Sequence, residues 1–173
     1  MGLGFWATER IPKNTVVLAE QPLMLKKASE STVDAMFELI GKALCTNRDA
    51  FLKLTPRNQC TDPFFLEYSR LKDAHRRWLP DISRETARLY ATKYVRNAFS
   101  TKDGPALLFD GAVFNHSCDP NVVFALQAGV MVFRTCRDVE EGEQLFDRYG
   151  NADGSKKYHA HLLRQYGFRC ACS

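Results

Sequence analysis

Residues 115–121 read Asn-His-Ser-Cys-Asp-Pro-Asn, "NHSCDPN", between the apolar runs "GAVF" (111–114) and "VVFAL" (122–126). Two amides, an imidazole, a thiol and a carboxylate thus stand in consecutive positions at the edge of a core. Burying such groups costs a few kcal/mol each unless every one finds a partner. A turn accounts for Asp119, Pro120 and Asn121. It does not account for Asn115, His116 and Cys118. Taken alone the stretch is a polar turn with a caged thiol, so its companions along the chain decide how it is read.

The chain has 173 residues, 45% hydrophobic and 12% aromatic, enough to bury one sizeable core, and a single domain is expected. Charged residues make up 25% and no segment is low-complexity, which argues against disorder. The net charge of +4 is spread along the chain. Its densest basic run, "RLKDAHRR" at 70–77, reads as a solvated helix face rather than a nucleic-acid footprint. No run reaches the ~18 apolar residues of a membrane span. "MGLGFWATER" has neither a signal-peptide pattern nor, with Trp6 in place of Ser or Thr, a myristoylation pattern. Cysteines fall at 45, 60, 118, 136, 170 and 172. Without a secretory signal they read as thiols or metal ligands, which places the chain in the cytoplasm or nucleus.

The first segment, 1–22, reads as strands and turns. "GLG" (2–4) permits close approach to the backbone, and "TVVLAE" (15–20) is a β-branched strand ended by Pro22. From 23 to 99 the period becomes mainly helical. Ser31 and Asp34 resemble a capping box before Val33, Met36, Phe37, Ile40 and Leu44. Ser83 opens a second helix with Ala87, Tyr90, Ala91, Tyr94, Val95 and Ala98 on one stripe. Strands return within 100–165. "VVFALQ" and "VMVFRT" predict a hairpin across 122–135, and "EEGE" turns into "QLFDR". A helix over about 155–166 is amphipathic through Tyr158, Leu162, Leu163 and Tyr166, and a tail follows at 166–173. Strands, a helical insertion and strands again predict one α+β domain whose C-terminal strands return to the N-terminal ones. No βαβ alternation or phosphate-type GxGxxG is present.

Five motifs in order, "GLGFWA" (2–7), "NAFS" (97–100), "NHSCDPN", "EEGEQLFDRY" (140–149) and "YGFRCAC" (166–172), resemble SET-domain protein lysine methyltransferases, nearest the SMYD branch. The likeness covers residues 1–22 and 93–173. The SMYD branch's MYND zinc finger and helical C-terminal domain are missing, since residues 23–92 hold only Cys45 and Cys60. The resemblance implies a fold of short curved β-sheets with a helical insertion and a post-SET-like tail. It implies methyl transfer from S-adenosylmethionine to a protein lysine, in a histone or another protein. Tyr149 matches the catalytic tyrosine. Gly2, Leu3, Gly4, Asn97, Asn115, His116 and Phe168 match cofactor-binding positions, Leu3 by its backbone. Phe99, Tyr149 and Tyr166 match an aromatic substrate channel. Cys118, Cys170 and Cys172 resemble three ligands of a tetrahedral zinc site whose fourth would lie a few residues past Cys172. The chain is expected to act as a monomer, without membrane or direct nucleic-acid contact.

One departure stands beside the tyrosine, where the family has an apolar or small pair and this chain has Asp147 and Arg148. Asp147 facing the channel would hold the incoming cation. Facing outward it is a plain surface charge, and neutralisation by Arg148 is the further alternative. The alternative to an enzyme is a catalytically inactive SET-like interaction domain. Cys45, Cys60 and Cys136 read as buried hydrophobes, His75, His159 and His161 as solvent-facing, and the acidic turn at 138–143 as the border of a basic-peptide groove.

Overall fold

The computed structural model describes residues 3–25, 32–56, 73–150 and 155–170. In chain order the elements are β1 (Phe5–Trp6), β2 (Val16–Glu20), α1 (Thr32–Thr46), α2 (Arg48–Lys53), α3 (Arg84–Asn97), β3 (Ala98–Thr101) and β4 (Gly104–Leu107). They continue with β5 (Asn115–His116), β6 (Val122–Gln127), β7 (Val130–Thr135), β8 (Gln144–Asp147) and α4 (Lys156–Tyr166). The chain forms two compact units, one of residues 1–22 with 110–173 and the other of 23–109. Gly2, Ser31, Cys60, Cys172 and residues 70–72 of the basic run lie outside the described residues.

In the first unit the predicted hairpin is present. β6 and β7 pair antiparallel with Phe124 opposite Phe133, and β2 returns to the other edge of β7. Along β7 every second residue, Met131, Phe133 and Thr135, is buried, as a strand with one covered face requires. The connecting Ala128 and Gly129 have φ of 48° and 82°, the paired positive values of a tight hairpin turn. Phe133 stacks on Phe114 at 4.7 Å between centroids, and Phe114 meets Phe5 at 4.8 Å, so the aromatic core bridges elements far apart in sequence.

A second sheet has β8 at its centre, antiparallel to β1 and parallel to β5. β5 is short but well braced. Glu20 at the end of β2 accepts N–H bonds from Asp110 (3.2 Å) and Gly111 (2.7 Å), holding the 3-10 turn that leads into it. α4 begins at Ser155, whose Oγ accepts from Tyr158 N at 3.0 Å, and ends at Gly167 with φ 77°. It buries Tyr158 and Leu162, but Leu163 is exposed, so the apolar stripe is narrower than expected.

The acidic turn is largely neutralised by its own unit. Asp138 pairs with Arg10, and Glu143 with Arg137 at 2.5 Å. The Arg137 guanidinium holds the Glu143 carboxyl down at about 2. The turn therefore braces the start of β8, while Glu140 and Glu141 stay exposed.

In the second unit α1 buries Met36, Phe37, Leu39, Ile40 and Ala43. α3 starts as predicted at Ser83, whose Oγ accepts from Thr86 N at 3.1 Å. Two positions correct the sequence reading. His75 is buried rather than solvent-facing, with its ring 6.0 Å from Phe37, because the 3-10 turn Ala74–Arg77 aims it inward while Arg76 and Arg77 stay exposed. Cys45 is exposed rather than buried, since it lies off the packed face of α1. Periodicity also missed Lys93, 1% exposed, whose Nζ donates to Leu52 O (3.0 Å), Leu54 O (2.5 Å) and Pro56 O (2.6 Å). The ammonium replaces the missing partners of carbonyls at the end of α2. No described helix is long and apolar enough to cross a membrane.

Candidate active site

The parallel pairing of β5 with β8 places Asn115 opposite Phe146 and His116 opposite Asp147. Asn121 secures that pairing from the far end of the motif. Wholly buried, it donates to Gln144 O (2.8 Å) and Glu143 Oε1 (3.0 Å) and accepts from Phe146 N (2.8 Å). Its role is to bind β8 alongside, which was not legible from the turn pattern. Ser117 Oγ accepts from Asp119 N at 3.1 Å, and Ser117 N donates to Asp147 O at 2.9 Å. The polar stretch is thus tolerated because most of its groups are hydrogen-bonded.

Asn115 Nδ2 donates to Leu3 O at 2.8 Å, drawing the N-terminal loop to β5. A Cβ on Gly4 would collide with Gln144 Nε2 and lie 2.8 Å from Asn115 Nδ2. Glycine is needed there for close approach, as expected, although the groups approaching are the chain's own amides.

Tyr149 is held at three points. Its N–H donates to His116 Nδ1 (3.2 Å), its carbonyl accepts from Tyr158 Oη (2.6 Å), and its hydroxyl donates to Phe114 O (2.6 Å). Burial first, then the charge of Asp147 and that of Tyr166, push the phenol well above its ordinary value. Tyr166 lies 4.7 Å from the Tyr149 ring, and Phe168 lies 6.3 Å from Tyr149 and 5.9 Å from His116. Tyr158 was read as apolar stripe. Its phenol, which needs a partner when buried, was the clue to its bracing role.

His116 decides what the thiols beside it can do. Burial, then Arg148 and His159, push its imidazole down to about 4, so it is neutral at ordinary pH. A neutral ring whose Nδ1 accepts the Tyr149 N–H carries its hydrogen on Nε2. That nitrogen lies 3.4 Å from Cys118 Sγ, which in turn lies 3.5 Å from Cys170 Sγ. The ligand atoms of these three residues fall within 4.8 Å of one another. Two sulfurs on one tetrahedral zinc at ~2.3 Å would be about 3.8 Å apart, so the thiols fit a zinc ion closely. His116 suits a supporting Nε2–H donor to the Cys118 sulfur better than a ligand. Neither His159 nor His161 belongs to this cluster.

Asp147 is 1% exposed, so it is no surface charge, and burial pushes its carboxyl up to about 8. Arg148 does not neutralise it, since that guanidinium is exposed and donates to Cys118 O at 2.8 Å. Of the other expected site residues, Asn97 and Phe99 belong to the second unit. There Asn97 Nδ2 donates to Thr55 O (2.7 Å) and Lys93 O (2.6 Å), and Phe99 sits opposite Ala106 in the β3–β4 hairpin. Cys136 is half-buried, its thiol on Pro120 O at 3.2 Å.

Comparison with known proteins places this geometry. The family description "SET domain" matches residues 2–150. The putative SET domain-containing protein L678 of Acanthamoeba polyphaga mimivirus is 34% identical over 184 residues, covering 99% of this chain and 72% of the viral protein. The histone-lysine N-methyltransferase set5 of Schizosaccharomyces pombe is 28% identical over 178 residues, covering 99% of this chain and 46% of set5. Among solved structures, Rubisco LSMT bound to AdoMet superposes with a TM-score of 0.70 at 15% identity over 97% of this chain. The SET domain of LSMT bound to lysine and AdoHcy gives 0.66 at 15% identity over 96%. The chain spans about half, 50%, of each of those solved chains.

Proposed function

This chain belongs to the SET-domain family and has its α+β fold of small sheets and a few helices, and on that premise we propose that it transfers a methyl group from S-adenosylmethionine to a lysine side chain of a protein. The observation that carries the reading is the seat of Tyr149. Its phenol is clamped beside the Asn115–His116 pair, next to Tyr166 and Phe168, so that residues of three separate motifs stand together within one unit.

The residues present suit the cofactor. Gly4 leaves room for close packing at the N-terminal loop, Asn115 ties that loop to β5, and Phe168 offers a flat apolar face near His116. When bound, S-adenosylmethionine supplies an electrophilic methyl carried on a sulfonium. The chain's part is to deliver a neutral amine in line with it. A free lysine has pKa ~10.4, so neutrality at pH 7 costs about 4.6 kcal/mol, or ~3.4 units at ~1.36 each. Tyr149 and Tyr166 desolvate the ammonium and lower that cost. The hydroxyl hydrogen of Tyr149 is committed to Phe114 O, so its oxygen remains an acceptor toward the reacting groups. Its raised pKa keeps the phenol neutral, and positioning supplies much of the remaining gain.

Zinc is held in this reading by Cys118 and Cys170, with Cys172 and one further ligand completing four, and His116 supports the first sulfur. The set5 name supports a histone lysine as one substrate, and the motif spacing supports a place nearest the SMYD branch. Action as a monomer in the cytoplasm or nucleus completes the proposal.

The test is labelling of a lysate or peptide pool from methyl-labelled cofactor. Tyr149→Phe is expected to bind cofactor normally and to label about 100-fold less, the loss typical of one preorganised hydroxyl in a water-poor site. Equal labelling by both proteins would refute the assignment. Cofactor binding without labelling under any condition would favour a non-catalytic interaction domain.

A further inference from the structure

Asp147 ends β8 on the buried face that it shares with Leu145. Its Oδ1 is buried and has no hydrogen-bond partner among the described residues. Two phenols lie within its electrostatic reach, Tyr149 two residues on and Tyr166 from α4; burial first, then Asp147, pushes both upward. The group opposite it in the β5 register is His116, a neutral ring whose Nδ1 is already bonded to Tyr149 N. The adjacent cation, Arg148, is turned to Cys118 O. Among the described residues no lysine, arginine or histidine forms an ion pair with Asp147.

A buried carboxyl with an unpartnered oxygen is costly in either protonation state, and a hydrophobic residue of similar volume would pack there at lower cost. No described residue supplies that partner, which leaves the position open to an arriving ligand. It must be a cation, it must carry N–H donors, and it must reach the space beside Tyr149 and Tyr166. The cofactor's sulfonium has no N–H to donate, and its own ammonium belongs, in the proposed reading, to the N-terminal loop that Asn115 ties to β5. A primary ammonium on a flexible chain meets all three conditions.

We infer that Asp147 is the acceptor and counter-charge for the substrate's amino group, holding the incoming lysine beside the Tyr149 and Tyr166 phenols. This rests on the reading that the chain takes a lysine side chain. It adds a binding residue where the family has an apolar or small one. Each methyl transferred removes one N–H from the amine, so the contact is strongest for the unmethylated lysine and weakens as methylation proceeds.

The experiment uses the whole chain saturated with S-adenosylhomocysteine and titrates Nα-acetyl-lysine methylamide against its norleucine analogue by NMR or calorimetry, so no substrate sequence need be known. The wild type is expected to prefer the lysine probe at least tenfold. Asp147→Asn, nearly isosteric, is expected to lose most of that preference while S-adenosylmethionine affinity stays within twofold. Asp147→Ser is the second variant and is expected to behave alike. An unchanged lysine preference in folded variants overturns the inference alone. So does an equal loss of cofactor affinity, which would assign the carboxyl to the cofactor. A wild type that binds neither probe takes down the lysine reading itself, and this inference with it.

Discussion

Replacing Asp147 with asparagine should remove a loss of stability that the wild type suffers as pH rises. Burial moves the carboxyl from its ordinary value of 3.8 to about 8. Below pH ~4 both folded and unfolded chains hold this proton, and it contributes no pH dependence. As pH rises above that value the unfolded chain releases the proton while the folded protein keeps it, so stability falls by about 1.36 kcal/mol per unit. The fall stops near pH 8, where the folded carboxyl also ionises. Four units give a total on the order of 5–6 kcal/mol, much of the ~5–15 kcal/mol of a typical domain. Asparagine fills the same space and never ionises. Its own cost, an unsatisfied buried amide of about 1–3 kcal/mol, is independent of pH. Urea midpoints at about pH 5 and about pH 8.5 measure the difference. The variant should be equal to the wild type or weaker at the lower value and more stable by several kcal/mol at the higher. Glu143, held at about 2 by Arg137, and His116, pushed to about 4 by burial, are common to both proteins and cancel in the comparison. Parallel curves across this range would refute the reasoning, because they would mean that the carboxyl titrates alike in both states.

Three further outcomes are expected. Asn121→Ala removes three hydrogen bonds from a wholly buried amide and should cost about 2–4 kcal/mol by urea unfolding; a loss below about 1 kcal/mol would deny it the role of joining β5 to β8. Gly4→Ala pushes Gln144 and Asn115 aside and loosens the Asn115–Leu3 bond, so calorimetry should show cofactor affinity reduced about tenfold with little loss of stability, against no change if the loop does not serve the cofactor. Purified with zinc, Cys118→Ser should lose the metal by elemental analysis and His116→Asn should retain it; loss in both would make His116 a ligand.

How far the fold was legible varies with element length. β6 and β7 are six-residue runs of mostly apolar residues that flank Ala128–Gly129, so composition and turn position agreed on the hairpin. Ser83 announced α3, since an N-cap acts on its own first turn, whereas α4 was read from its amphipathic stripe. β1 and β5 have two residues each, and two residues carry no period. The site motifs were recognised by order and spacing, yet Asn121, Tyr158 and Glu20 were missed as braces. Their partners lie on elements separated in the sequence, and nothing beside them names those partners.

Residue order alone therefore determined the local matters: where a helix starts, which runs are strands, and which polar residues are too many for a plain turn. These depend on neighbours within a few positions, and their energies are settled before distant segments meet. Tertiary structure alone decided that Lys93 and Asp147 are both buried yet differ, one ringed by three carbonyls and the other with an oxygen left unpartnered. The physical reason is that desolvation and its compensation depend on which remote atoms surround a charge, and chain connectivity rather than side-chain type brings those atoms there.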